Sequence, residues 1–186
     1  MSKPIITIGG LPGSGKSTIA DRVAAELGWS RFSSGDFMRE IAHERGITLS
    51  KLLQEAEKNP EIDRTIDARN KSLADAENVI IDSRLAWHFI PKSFAVYLAV
   101  DLAEGARRIH ADNKETRIKS GENHDVIEKT AREMQERIDG EKRRYKKLYD
   151  IDHTDPDNYD LVIDTTNKGI EKITKEVIDA YQQWRD

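Results

Sequence analysis

The chain has 186 residues, of which 34% are charged and only 6% aromatic, with a net charge of −4 and no cysteine. That length suits one domain with a proper core; the acidic balance argues against a dedicated nucleic-acid binder, and the missing thiols exclude disulfides, zinc–thiolate sites and cysteine nucleophiles. No apolar run is long enough to cross a membrane, and the first predicted strand opens at Ile5, too soon after Met1 for a signal peptide, so a cytoplasmic protein is expected.

Ile5–Ile8 is the first predicted strand. Behind it stands Gly10-Leu11-Pro12-Gly13-Ser14-Gly15-Lys16-Ser17, which completes the pattern G-x-x-x-x-G-K-S/T, and then a helical pattern from Ile19 to Leu27. Strand, glycine turn and helix start are the setting of a phosphate-binding P-loop. Glycines let the backbone approach phosphate oxygens, and the free N–H groups of the first helical turn bind the anion. Residues Gly10, Leu11, Pro12, Gly13, Ser14, Gly15, Lys16, Ser17 and Thr18 are therefore assigned to a nucleoside triphosphate. Lys16 is placed to reach its β- and γ-phosphates, and the Ser17 hydroxyl to ligate Mg2+.

A weak strand is predicted at Ser30–Ser33, followed by Ser34-Gly35-Asp36 opening a helix that carries Arg39 about one turn inside. Ser34 and Arg39 are candidates to meet an acceptor phosphate; the plainer alternative is that Ser34 or Asp36 only caps the helix and Arg39 is solvated. Thr48 reads as the N-cap of a helix over Leu49 to Lys58 that ends near Asn59-Pro60, and another helix is expected from Glu61 to Ala74. Val79–Asp82 is the third strand, and its terminal carboxylate suits a Walker-B-type residue holding Mg2+, directly or through water. Arg84 emerges just beyond it, on the acceptor side.

Ala95–Val100 and Leu161–Asp164 complete five predicted strands, and the last three runs, apolar without strict alternation, read as strands buried on both faces of a parallel sheet. Helices between them give the order of a doubly wound α/β fold, whose ligands bind beyond the carboxyl ends of the strands. Between the last two strands a long helical region is interrupted by the polar stretch 112–123, which suits a mobile lid. In the helix that follows, Arg137, Glu141 and Arg144 stand at i, i+4 and i+7 and share one face. Taken alone such a stripe reads most simply as a salt-bridged solvent face, but Arg107, Arg108, Arg132 and Arg143 add arginine that a transferring phosphoryl group could use. The histidines show neither metal-ligand spacing nor a nucleophile partner.

Taken together these runs resemble the nucleoside monophosphate kinases, and among them the archaeal-type cytidylate kinases. The resemblance rests on Gly9 to Thr18, Ser33-Ser34-Gly35-Asp36, Asn59-Pro60-Glu61-Ile62-Asp63-Arg64, Asp82-Ser83-Arg84-Leu85-Ala86, Arg143-Arg144-Tyr145, Tyr149-Asp150-Ile151-Asp152 and Tyr159 to Thr165, and spans nearly the whole chain. It implies a single P-loop kinase domain over 1–186, with a five-stranded parallel sheet, a helical nucleotide-binding insertion at about 36–75 and a lid at about 112–125. It further implies phosphoryl transfer from ATP to CMP or dCMP with Mg2+, by a monomer that needs neither nucleic acid nor membrane. Lys16, Arg84, Arg137 and Arg144 would be catalytic, and Ser34, Asp36, Arg39, Asp63, Arg84, Glu141 and Arg144 would bind substrate. Arg137, Glu141 and Arg144 resemble the family's R-x3-D-x2-R helix with Glu in place of Asp, and Ser83 replaces the usual Gly. Cytosine offers an N4 amino donor, so its pocket calls for a carboxylate; Asp63, Asp67, Arg64 and Asn70 are the candidates. Alternatives are an adenylate or dephospho-coenzyme A kinase, a regulatory P-loop ATPase or GTPase, and a pure binding module. A guanine-reading Asn/Thr-Lys-x-Asp run is absent.

Overall fold

A computed structural model describes residues 4–112 and 124–186. Five parallel strands, β1 (Ile5–Gly10), β2 (Ser30–Ser33), β3 (Val79–Asp82), β4 (Phe94–Ala99) and β5 (Leu161–Asp164), form one sheet in the order β2-β3-β1-β4-β5. β1 is central, pairing Ile6 with Ile80 of β3 and Ile8 with Val96 of β4. The chain leaves β1 toward one side of the sheet for β2 and β3 and toward the other for β4 and β5, so a crevice opens at the carboxyl end of β1.

Each face of the sheet has its own apolar layer. On one, Ile6, Ile8, Val96, Leu98 and Ile163 pack against Ile19 and Val23 of α1 (Lys16–Leu27) and Ile173, Val177 and Tyr181 of the C-terminal helix. On the other, Ile5, Val79 and Ile81 meet Ala86 and Ile90. β3 and β4 are buried on both faces, as expected of central parallel strands, but β5 is not. It is an edge strand, so Val162 stays 43% exposed despite its apolar side chain.

Three helices fill the long connection between β2 and β3, and each starts at a side-chain cap. Ser33 accepts from the Asp36 N–H to open α2 (Ser34–Glu44), Thr48 accepts from Lys51 to open α3 (Leu49–Ala56), and Asn59 accepts from Glu61 to open α4 (Pro60–Ser72), with Pro60 in the first turn. These helices share a separate cluster of Ala42, Leu52, Ala56, Ile62 and Ile66. A short α5 (Ala86–Phe89) follows β3. α6 (Leu102–Asp112) and the long α7 (His124–Tyr149) pack together after β4, and α8 (Ile170–Arg185) closes the chain. Of the stretch expected to form a lid, about 112–125, residues 113–123 lie outside the described residues.

Candidate active site

The phosphate loop is shaped by glycines that nothing else could replace at two positions. Gly10 has φ +143°, and a Cβ there would stand 2.3 Å from the Leu98 carbonyl oxygen; Gly13 has φ +72°, and a Cβ would stand 2.4 Å from the Gly105 carbonyl oxygen. The loop is thus pressed onto β4 and α6 and delivers Lys16 and Ser17 at the start of α1. Lys16 donates to the Leu11 carbonyl at 2.7 Å. Burial, and secondarily Arg84, lower the Lys16 ammonium to about 7, an unstable charge that phosphate oxygens would stabilise.

Ser17 donates to Oδ2 of Asp82 at 2.8 Å, so the end of β3 and the start of α1 present a hydroxyl and a carboxylate side by side. These are hard oxygen ligands next to a phosphate cradle, which fits Mg2+; that ion takes one or two carboxylates and completes its octahedron with phosphate and water. A second pocket flanks the loop between Gly13, Thr18, Arg108, Gly169 and Ile170. Arg108 fixes its wall by donating to the carbonyls of Thr165 at 2.8 Å and Thr166 at 3.0 Å.

The main cleft runs from Gly13, Lys16 and Ser17 across to Ser34, Arg39, Asp63, Asp67, Asn70, Arg84 and Arg137. Its floor depends on Glu141, only 2% exposed, which lies 2.6 Å from Nε of Arg84 and 3.0 Å from Nε of Arg137. Burial alone would push this carboxyl up; Arg84, His153 and Arg137 overcome it and hold the group well below the usual carboxylate range. Glu141 therefore sits behind the cleft and aims two guanidinium groups into it. The stripe of Arg137, Glu141 and Arg144 is not a solvent face.

Arg144 is also buried, bonding both oxygens of Asp63 from Nε at 3.0 Å and Nη2 at 3.4 Å, and it ties α4 to α7 instead of lining the main cleft. One turn on, Asp67 accepts from the Tyr149 hydroxyl. Burial, opposed by Tyr149 and aided by the Asp63 charge, raises the Asp67 carboxyl to about 6. Asn70 joins Ser34 (3.0 Å) to Ser83 (3.1 Å), so the serine that replaces the family glycine helps hold the cleft wall.

Other candidates lie elsewhere. Asp36 is 55% exposed, bonded to Arg39 and Arg31 outside the main cleft. Arg64 is 64% exposed and paired with Glu61, and Arg143 is exposed against Glu57. Three residues enter the site that sequence patterns did not single out: Tyr149, His153, whose Nε2 stands 3.6 Å from Glu141, and Arg31, bonded to Asp82. Tyr149 belongs only to the Tyr149 to Asp152 run that carries the resemblance, with no role of its own there, and nothing in the sequence points to His153 or Arg31.

The model of the cytidylate kinase-like family matches residues 5–167. The chain belongs to that family. It is 37% identical to the cytidylate kinase of Methanopyrus kandleri over 98% of this chain and 96% of that one, and 42% identical to the cytidylate kinase of Methanothrix thermoacetophila over 87% and 88%. Among solved structures, a shikimate kinase from Bacteroides thetaiotaomicron is similar in fold, with a TM-score of 0.63 at 17% identity over 94% of this chain and 96% of that one. As a family member the chain is a P-loop kinase with a five-stranded parallel sheet, and among the described residues no helix is long and apolar enough to cross a membrane.

Proposed function

We propose that the protein transfers the γ-phosphoryl group of ATP to CMP or dCMP. The observation that carries this reading is the continuity of one cleft, with a phosphate loop at one end and arginines and buried carboxylates at the other. The triphosphate lies over residues 10–18 with Lys16 on its β/γ-phosphates, and the donor base enters the pocket beside Arg108 and Gly169. Ser17, and Asp82 through water, would hold Mg2+, which would supply positive charge against the donor phosphates. Arg39 and Arg84 bind the acceptor phosphate and place its oxygen in line. Arg84 and Arg137, preset by Glu141, stabilise the charge that spreads over the moving group.

Base choice falls to the α4 carboxylates. Both Asp63 oxygens are occupied by Arg144, whereas one Asp67 oxygen is left beyond the Tyr149 bond. Asp67 thus accepts from the cytosine N4 amine. Uracil presents an O4 acceptor there instead, and an unpaired buried polar group costs about 1–3 kcal/mol, or roughly a ten- to hundredfold preference for CMP in kcat/KM. The substrates are cytoplasmic metabolites and the active unit is a monomer. The test is coupled turnover with ATP and a panel of nucleoside monophosphates. Efficient AMP phosphorylation with negligible CMP turnover would remove the cytidylate reading and leave the kinase class.

A further inference from the structure

Arg31 stands on β2, the edge strand paired with β3, and reaches back over the metal side of the cleft. Its Nη2 lies 2.9 Å from Oδ2 of Asp82, the same oxygen that accepts from Ser17. Its Nη1 lies 3.3 Å from Asp36 on α2 and 3.3 Å from Asp21 on α1. Asp82 and Arg31 are largely shielded, with side chains 7% and 19% exposed, while Asp21 and Asp36 are mostly in solvent. The short, shielded contact is therefore the one to Asp82, and the two longer ones are peripheral.

We propose that Arg31 is a positioning residue for the metal: it orients Asp82 onto Ser17 and matches its charge, so that the carboxylate meets Mg2+ through water and the ion is held firmly only when nucleotide phosphates are present. The inference rests on the assignment of Ser17 and Asp82 to the metal side. Its physical basis is direct. Oδ2 already carries two donors, Mg2+ gives up its waters reluctantly, and a guanidinium beside the carboxylate repels an incoming divalent cation. Asp36 contacts the same guanidinium from the acceptor-side helix at 3.3 Å, a weaker pull than that of Asp82, and removing its charge should move Arg31 slightly toward Asp82.

The competing view is that Arg31 merely staples β2 to α1 and α2. A staple would alter nucleotide affinity equally with and without metal. The experiment is calorimetric titration of the full chain with a non-hydrolysable ATP analogue, in Mg2+ and in EDTA, without acceptor. The readout is the ratio of the two affinities. Arg31→Met should raise that ratio about tenfold, Arg31→Lys should restore it to within about twofold of wild type, and Asp36→Asn, which leaves Arg31 more fully on Asp82, should lower it. If Arg31→Met does not fold, the exposed Asp36→Asn change still tests the sign. A wild-type ratio above one that these variants leave unchanged, or that Arg31→Met lowers, overturns the role of Arg31. A wild-type ratio of one overturns the metal assignment beneath it.

Discussion

Asp67→Asn should make the protein more stable and less selective, both for the same reason. The folded state holds this carboxyl at about 6 against an ordinary 3.8, so ionising Asp67 costs the fold about 3 kcal/mol at most. The sign follows from proton counting. Between those two values the folded chain keeps a proton that the unfolded chain has lost, so the stability this group lends is full below pH 4 and gone above pH 6. Asn keeps an oxygen for the Tyr149 hydroxyl and carries no charge, so it should relieve up to about 3 kcal/mol at pH 7.5, raising Tm by up to about 6–12 °C for a chain of this size. At pH 4 the two proteins should melt together. The same change gives the pocket an N–H that can meet uracil O4, so the CMP-over-UMP ratio in kcat/KM should fall about tenfold or more. Thermal denaturation by circular dichroism at both pH values and coupled assays with CMP and UMP check the two halves. A Tm difference that is the same at pH 4 and pH 7.5 would refute the electrostatic argument, and a higher Tm with unaltered selectivity would remove Asp67 from the base pocket.

Lys16→Ala should lower kcat by about a hundredfold or more while the chain stays folded, because the β/γ-phosphate charge loses its cation; single-turnover kinetics read this, and near-normal turnover would take the lysine out of the mechanism. Arg39→Ala and Arg84→Ala should raise KM for CMP with little change in KM for ATP, and titrating each substrate separately distinguishes this from the reverse assignment. Glu141→Gln should destabilise the fold by about 3 kcal/mol or more, since the two part-buried guanidinium groups of Arg84 and Arg137 lose the buried counter-charge they share. That corresponds to a Tm loss of about 6 °C or more, and a loss under about 2 °C would show that water or His153 compensates.

The sheet was readable because its signals are local. The glycine pattern at 10–17 demands a strand before it and a helix after it, and Thr48 announces a helix start through a side-chain oxygen that caps Lys51; the cap expected at Ser34 or Asp36 is instead Ser33, and Asn59, read as a helix end, also caps the helix that follows. β5 misled for an equally plain reason. An apolar run such as Leu161-Val162-Ile163 does not say whether its strand will have one neighbour or two, and that is decided by the order of strands. Asp36 and Arg64 looked like substrate ligands on residue type and position, yet each is spent on a neighbour three residues away or less than a turn off the cleft. Helical periodicity placed Arg137, Glu141 and Arg144 on one face but could not say what covers it.

What covers it explains why so much of the site lies beyond sequence reasoning. The face of α7 meets α4 through Arg144 and Asp63, β3 through Glu141 and Arg84, and the segment after α7 through Glu141 and His153. Each contact joins residues far apart in the chain, and each buries a charge that would be costly unless its partner arrived with it. A solvent stripe and a buried relay have the same spacing; only the presence of opposite charges at the ends of other elements separates them. Here Asp63 on α4 and Arg84 after β3 supply those charges. Arg84 and Arg137, which we propose act on the transferring phosphate, are therefore held by Glu141 before any substrate binds, which is the condition for electrostatic stabilisation without reorganisation at the moment of transfer.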